Sequence, residues 1–306
     1  PPADGRRRTR AGPRQSCRME IGARALVGLL WLLQHLPLAV LASLGRGFGA
    51  LLHAFGHRRR RIARRNIDLC FPELGSAERA ALVREHFALL GRSLLERGLL
   101  WYASPQRIRG LVRVEGDIGL AERSTRPVMW LVPHFLALEV AGAAVQLFQG
   151  RTGIDLYRPQ SSPYLDRVLK QGRVRFGRGE CYPRGTPIRT LIKRIRAGCP
   201  LFYMPDQDFG ARESVFVPFF GVQAATLEAP SKMARLLDMV VQPVVAEMLP
   251  GGAGWRVRFL EPLQDWPTDD ATADAARLNA FIEAQVRAMP AQYLWVHQRF
   301  KTRPPG

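Results

Sequence analysis

Apolar and polar positions divide this chain into segments with different periods. Over residues 25–45 no charged side chain occurs at 21 consecutive positions, close to the roughly 20 apolar residues that cross a bilayer core. Gln34, His35 and Pro37 interrupt the middle of that run, so a spanning, an interfacial and a re-entrant helix all remain open. The apolar pattern resumes over residues 48–55, which argues against a cleaved signal peptide. Ser76 can then cap a helix in which Leu82, Phe87, Leu90 and Leu94 recur with a period of roughly 3.6, continuing to about Trp101.

Beyond that helix the pattern alternates. Apolar runs predict strands over residues 111–114, 128–132, 154–157, 201–204, 240–247 and 255–260. Helical periods fall between them over 135–147, 163–173, 186–197, 225–238 and 271–289. Such alternation predicts an α/β fold, a sheet covered by helices. The expected organisation is a disordered basic tail over residues 1–18, a membrane-associated apolar helical region over 21–56, and one cytoplasmic domain over 57–306. This Pro/Gly/Arg-rich segment reads as a disordered tail or as an upstream start that the cell does not use.

Charge narrows the choice of partner. The 306 residues carry a formal net charge of +19, and 47% of them are hydrophobic, enough for a folded core. Residues 1–18 hold six arginines and one aspartate, so the remainder stays basic at +14. An anionic surface is implied: acidic lipid, an acidic carrier protein or nucleic acid. Six arginines within residues 57–65 directly follow the apolar region, the mark of a segment on the cytoplasmic side of a membrane. Aromatic residues are not interleaved with them, as a stacking platform for single strands requires, so nucleic acid is the poorer partner. Cys17, Cys70, Cys181 and Cys199 form no Cys-x-x-Cys pair and have no histidine at metal-ligand spacing; they read as small buried hydrophobes in a reducing compartment, without a metal site.

Chemistry is expected where the run 127–132 stops at Pro133. His134 then lies at the carboxyl end of a strand, just before a helix, where open α/β sheets place their ligands. Glu139 follows five residues later. From the turn before the helix, His134 can be reached by the Glu139 carboxylate, which would fix the imidazole tautomer while the other ring nitrogen takes a proton from a substrate hydroxyl. Six histidines and 26 acids make that spacing common by chance. A hydrogen-bonded structural histidine is the alternative.

The His134-x-x-x-x-Glu139 box resembles the catalytic box of the glycerolipid acyltransferase superfamily. More of the chain is similar to one branch, the bacterial lipid A late acyltransferases. The matching stretches are Tyr157-Arg-Pro, Tyr203-Met-Pro-Asp-Gln-Asp-Phe-Gly210, Ser214-Val-Phe-Val-Pro-Phe-Phe-Gly221 and residues 290–304, in order along residues 20–304. This resemblance implies a glycerolipid-acyltransferase-like mixed sheet with an N-terminal membrane-anchoring helix at the inner membrane. The implied reaction transfers an acyl chain from acyl carrier protein to a hydroxyl of a lipid A precursor, with no cofactor. His134, Glu139 and Arg158 are then catalytic; the Arg158 fork can bind an acceptor phosphate or polarise the thioester carbonyl, unless it is a surface ion pair. Asp206, Gln207 and Asp208 can order Arg158, hold sugar hydroxyls, or form a capped turn closed by Gly210.

Residues 214–221 read as a core strand or as a wall of an acyl-chain tunnel. Arg299, Lys301 and Arg303, beside Trp295 and Phe300, suit head-group contact or a solvated terminus. Competing readings are a ping-pong enzyme with Cys181 as nucleophile, a related transferase acting on a phosphatidylinositol mannoside or ornithine lipid, and a non-catalytic basic membrane or nucleic-acid binder.

Overall fold

The computed structural model describes residues 13–304, with side chains from Glu20 onward. Five helices come first: α1 (Pro13–Leu33), α2 (Leu38–Phe55), α3 (His57–Cys70), α4 (Ser76–Tyr102) and α5 (Pro105–Leu111). The chain then alternates through β1 (Val112–Gly116), α6 (Leu120–Arg123), β2 (Val128–Leu131), α7 (Leu138–Leu147), β3 (Gly153–Tyr157), α8 (Pro163–Val174), β4 (Gly179–Pro183), α9 (Ile188–Arg196) and β5 (Leu201–Tyr203). A hairpin of β6 (Ser214–Phe219) and β7 (Val222–Leu227) follows, then α10 (Ala229–Leu236), β8 (Val240–Met248), β9 (Trp255–Phe259) and α11 (Ala271–Ala288). Gly75, not Ser76, caps α4; its N–H donates to the Glu78 carboxylate at 2.7 Å.

Seven strands form one sheet in the order β1-β9-β8-β2-β5-β3-β4. The block from β8 to β4 is parallel, while β9 runs antiparallel to β8 and parallel to β1, so the sheet is mixed. Central β2 explains why its sequence reads as a continuous apolar run. Val128, Trp130 and Val132 point into one core with α4 and α7, while Met129 and Leu131 point into the other with α11 and the C-terminal segment. Both faces of a parallel strand are dry, so both alternating positions are apolar.

Two elements depart from the expectation. Strand β4 was unforeseen, because its Gly179-Glu-Cys-Tyr-Pro183 sequence has no apolar run. The helix expected from residue 225 starts only at Ala229, because residues 222–227 pair with β6 through a turn at Phe220 and Gly221, both at positive φ. Burial against α11 and Arg299 overrides the weak helical period there.

The uncharged run does not make one continuous helix. It breaks between Leu33 and Leu38, where Pro37 lacks the N–H that would continue the ladder. Arg107 donates to the carbonyls of Gln34 and Leu36 at this break, the latter at 2.6 Å. Both halves dock on α4. A Cβ on Gly91 would meet the Gly45 carbonyl at 2.1 Å, and one on Gly98 would meet the Leu30 carbonyl at 2.2 Å, so the backbones pack in direct contact. Outward, α1 presents Ile21, Leu26, Leu29, Trp31 and Leu32, and α2 presents Val40, Leu44, Leu51 and Phe55. Leu38–Phe55 is long and apolar enough to cross a membrane, yet Arg46 on it pairs with Glu85 of α4 at 2.7 Å. Of the expected tail, residues 1–12 lie outside the described residues, and α1 already begins at Pro13.

Candidate active site

Parallel register builds the centre of the site. Strands β2 and β5 are neighbours with Leu131 opposite Tyr203, and the Val132 N–H donates to the Tyr203 carbonyl at 2.8 Å. Three residues past each partner stand His134 and Asp206. The Asp206 carboxylate accepts the backbone N–H of His134 at 2.9 Å and its Nδ1–H at 2.6 Å. With Nδ1 as donor, Nε2 carries the lone pair, and the Gln207 amide donates to it at 2.9 Å. Burial opposes the charge on Asp206, but the imidazole of His134 and both hydrogen bonds outweigh it and hold the carboxyl below its ordinary range.

Glu139 does not orient His134, contrary to expectation. Both ring nitrogens are occupied, and Glu139 instead grips Arg173 of α8 bidentately, at 2.6 and 3.1 Å. Burial would raise the Glu139 carboxyl, yet Arg173 and Arg97 reverse this and bring it down to about 2. Arg173 reaches on to Asp155 at 3.3 Å, and its own proton affinity rises although burial works against it. The sequence spacing is real, but α7 starts only at Leu138, and this directs the carboxylate sideways toward α8 rather than back to the turn.

His134 opens onto a cleft of ≈ 610 Å³. Arg97, Arg158, Arg173, Arg184 and Lys301 line it, against two acids, Glu139 and Asp208. Leu138, Glu139, Arg173 and Met204 also border an adjoining, mainly apolar slot of ≈ 60 Å³, lined further by Leu100, Trp101, Gly142 and Phe202 and, on its polar side, by Gln146, Asp155 and Glu180. The arrangement is an imidazole at the head of a cationic cleft, with a mainly apolar recess beside it that Asp155, Arg178 and Glu180 also border.

The other expected residues separate. Arg158 lies in the cleft wall, exposed. Asp206 and Gln207 do not order it; they serve His134. Asp208 is a turn residue: its carboxylate accepts the Gly210 N–H at 2.9 Å and both the N–H and the hydroxyl of Thr302 at 2.7 Å, with Lys301 at 3.7 Å. Arg299 makes no head-group contact. It is 2% exposed beneath the hairpin, donating to the Ala225 carbonyl, Thr226 Oγ1 and Asn279 Oδ1, and its charge helps to keep Asp206 ionised. Trp295 and Phe300 are buried with it, while Arg303 stays exposed. Residues 214–221 pack under α11 and border neither the cleft nor the slot, so they form core and not a tunnel wall. Cys181 borders the slot, but burial and then Asp155 push its thiol up, the opposite of an activated nucleophile.

Arg97, Arg173, Arg184 and His297 escaped the sequence reading. Arg173 reads as the polar face of an amphipathic helix, and Arg184 follows a strand that the apolar pattern does not reveal. His297 accepts the Asp208 N–H through Nε2 at 3.2 Å, and burial first, then His134, lowers its basicity to about 4. It lines the cleft as a neutral imidazole.

Residues 14–302 match the sequence profile of the bacterial lipid A biosynthesis acyltransferases. The chain belongs to this family. The lipid A biosynthesis lauroyltransferase of Escherichia coli K12 is 37% identical over 92% of this chain and 91% of its own length. The lipid A biosynthesis myristoyltransferase of the same organism is 32% identical over 94% and 87%. Among solved structures, the 1-acyl-sn-glycerophosphate acyltransferase of Thermotoga maritima is similar at a TM-score of 0.39 and 13% identity, covering 83% of this chain and 98% of that one. As a lipid A biosynthesis acyltransferase, the protein is an enzyme of O-acyl transfer, and its site is to be read in those terms.

Proposed function

We propose that this acyltransferase moves a fatty acyl chain from acyl carrier protein to a hydroxyl of a phosphorylated lipid A precursor at the cytoplasmic face of the inner membrane. The observation that carries the reading is the His134–Asp206 pair at the head of a cationic cleft that adjoins an apolar slot. Asp206 holds the proton of His134 on Nδ1, so Nε2 is free to act as base once the acceptor hydroxyl displaces Gln207. The alkoxide oxygen attacks the thioester carbonyl as His134 takes its proton. Collapse of the tetrahedral intermediate expels the carrier thiolate, which recovers that proton from the imidazolium.

The slot suits the acyl chain, and the arginines of the cleft suit anionic groups of donor and acceptor. Glu139 acts in this reading through Arg173, keeping that cation fixed at the seam between slot and cleft. The outward apolar faces of α1 and α2, next to the arginine-rich α3, support attachment to an anionic membrane surface. Their docking on α4 favours a helix pair lying on the bilayer over one that crosses it.

The test is turnover of purified protein with acyl carrier protein bearing a lauroyl or myristoyl chain and a phosphorylated lipid A precursor, followed by mass. His134→Ala is expected to abolish product. Asp206→Asn is expected to lower kcat roughly 10²- to 10⁴-fold at unchanged acceptor KM, because the amide no longer fixes the tautomer. Full activity of either variant would overturn the mechanism.

A further inference from the structure

A second apolar hollow, a groove of ≈ 410 Å³, joins the cleft without sharing a residue with the slot. Its walls are Leu52 of α2, Phe87, Leu90 and Leu94 of α4, and Leu294 and Val296 of the segment after α11. Leu90, Leu94, Leu294 and His297 border the groove and the cleft alike, so the two are continuous. Phe87, Leu90 and Leu94 recur at three and four residues and form one stripe of α4, and Arg97, nearly a turn further, lines the cleft. From Phe87 to Arg97 the helix rises roughly 15 Å. Hydrogen bonds fix the C-terminal wall. Asn66 of α3 donates to the carbonyls of Trp295 and His297 at 2.8 and 2.6 Å, and Arg59 donates to that of Val296 at 2.9 Å. The Leu294 N–H donates to the His134 carbonyl at 3.0 Å, which ties this wall to the turn that carries the imidazole.

The far end of the groove lies at the exposed apolar face of α2. Leu51 precedes Leu52 and Phe55 stands one turn beyond it, and both are exposed. Among the described residues Arg59 is the one charged side chain lining the groove, and His297 is neutral there. Such a lining suits hydrocarbon and offers little to a sugar or a phosphate. Transfer to a lipid hydroxyl requires two hydrocarbon sites at once, one for the incoming chain and one for a chain that the acceptor already carries. A chain delivered by a soluble carrier needs no route from a bilayer, whereas a chain of a membrane lipid does. Each methylene left in water on that route costs about fourfold in affinity, and a groove that begins at an exposed apolar face removes this cost.

We infer that the groove between α2, α4 and residues 294–297 receives a hydrocarbon chain that the acceptor lipid already carries, leading it along α4 so that the reacting hydroxyl comes to rest beside His134. The inference rests on the acyl-transfer reading for its substrate. A first test uses the wild-type protein on vesicles of phosphatidylglycerol and phosphatidylcholine that contain the acceptor with a diazirine near the end of one existing chain, without donor. Irradiation is expected to label Phe87, Leu90 and residues 294–296, read by peptide mass. Labelling of Trp101 and Phe176 in the slot instead, or equal labelling of the groove by a diazirine-bearing phosphatidylcholine, would overturn the assignment.

Leu52→Trp narrows the groove at the end away from His134. KM for the long-chain acceptor is expected to rise roughly 10- to 100-fold, the loss of two or three methylene contacts, while KM for a short-chain analogue of the acceptor and KM for the acyl carrier protein stay put. Should Leu52→Trp melt early, Val296→Trp blocks the same space from the opposite wall with the same expectation. An equal rise for both acceptors, or one confined to the donor, would overturn the groove as the acceptor's site. Absence of product from the wild type, with acceptor labelling of the groove intact, would instead refute acyl transfer and leave the hydrocarbon site standing.

Discussion

Asp206 accepts both the main-chain and the ring N–H of His134, so a single carboxylate sets the position and the tautomer of the imidazole together. Glu139 does different work although it belongs to the recognisable box. Its native carboxyl lies at about 2, below the ordinary value of about 4.3, because the guanidiniums of Arg173 and Arg97 favour its charge over the cost of burial. A depressed carboxyl gives stability that is complete above the unfolded value and is lost as pH falls from about 4.3 toward about 2. Glu139→Gln is therefore expected to cost roughly 3 kcal/mol at pH 7, and the gap to wild type is expected to narrow at pH 3. Urea unfolding at the two pH values checks this. An equal gap at both would mean that the Arg173 pair does not depend on the charge of Glu139.

At the scale of elements, the turn before α7 carries His134 and α7 itself walls the slot. Gly142 lies on its slot side, and a Cβ there meets nothing within 4 Å. A longer side chain thus enters the slot without disturbing the helix, and leucine also restores the helix propensity that glycine lacks. Gly142→Leu is expected to shift the product toward shorter acyl chains. With burial worth about 0.8 kcal/mol per methylene, each excluded methylene corresponds to about fourfold in selectivity. Competition between lauroyl and myristoyl donors, read by product mass, measures the shift; an unchanged product ratio would place the acyl chain elsewhere. The identities to a lauroyltransferase and a myristoyltransferase, 37% and 32%, do not choose a length, which is a property of such local volumes.

On the scale of the whole molecule, the outward apolar faces of α1 and α2 and the arginines of α3 follow one another at one end of the chain. Leu51 and Phe55 are 57% and 78% exposed, an unusual position for large apolar groups in water. Replacing both with serine is expected to lower partition onto vesicles of anionic phospholipid at least roughly tenfold, because each buried side chain of this size contributes about 1.5–3 kcal/mol. The residual binding is expected to fall with added salt, as arginine contacts to lipid phosphates do. Vesicle flotation of the two proteins makes the comparison. Undiminished binding of the variant would mean that another surface meets the membrane.

Period and composition alone determined the α/β alternation, six of the seven strands of the main sheet, and the place of His134 just past the end of β2. Those features are local: an apolar run, a proline that stops it, a histidine after it. Strand β4 was hidden because Gly179, Glu180 and Pro183 carry no strand pattern, and Arg184 was hidden with it. What tertiary structure decided was pairing. Asp206 meets His134, and Arg184 stands level with Arg158 in the cleft wall, only because neighbouring parallel strands align at Leu131 with Tyr203 and at Tyr157 with Pro183. Glu139, five residues from His134 in sequence, is turned away by the helix that begins between them. Sequence separation does not report spatial register, and at the carboxyl edge of a parallel sheet register selects the partners.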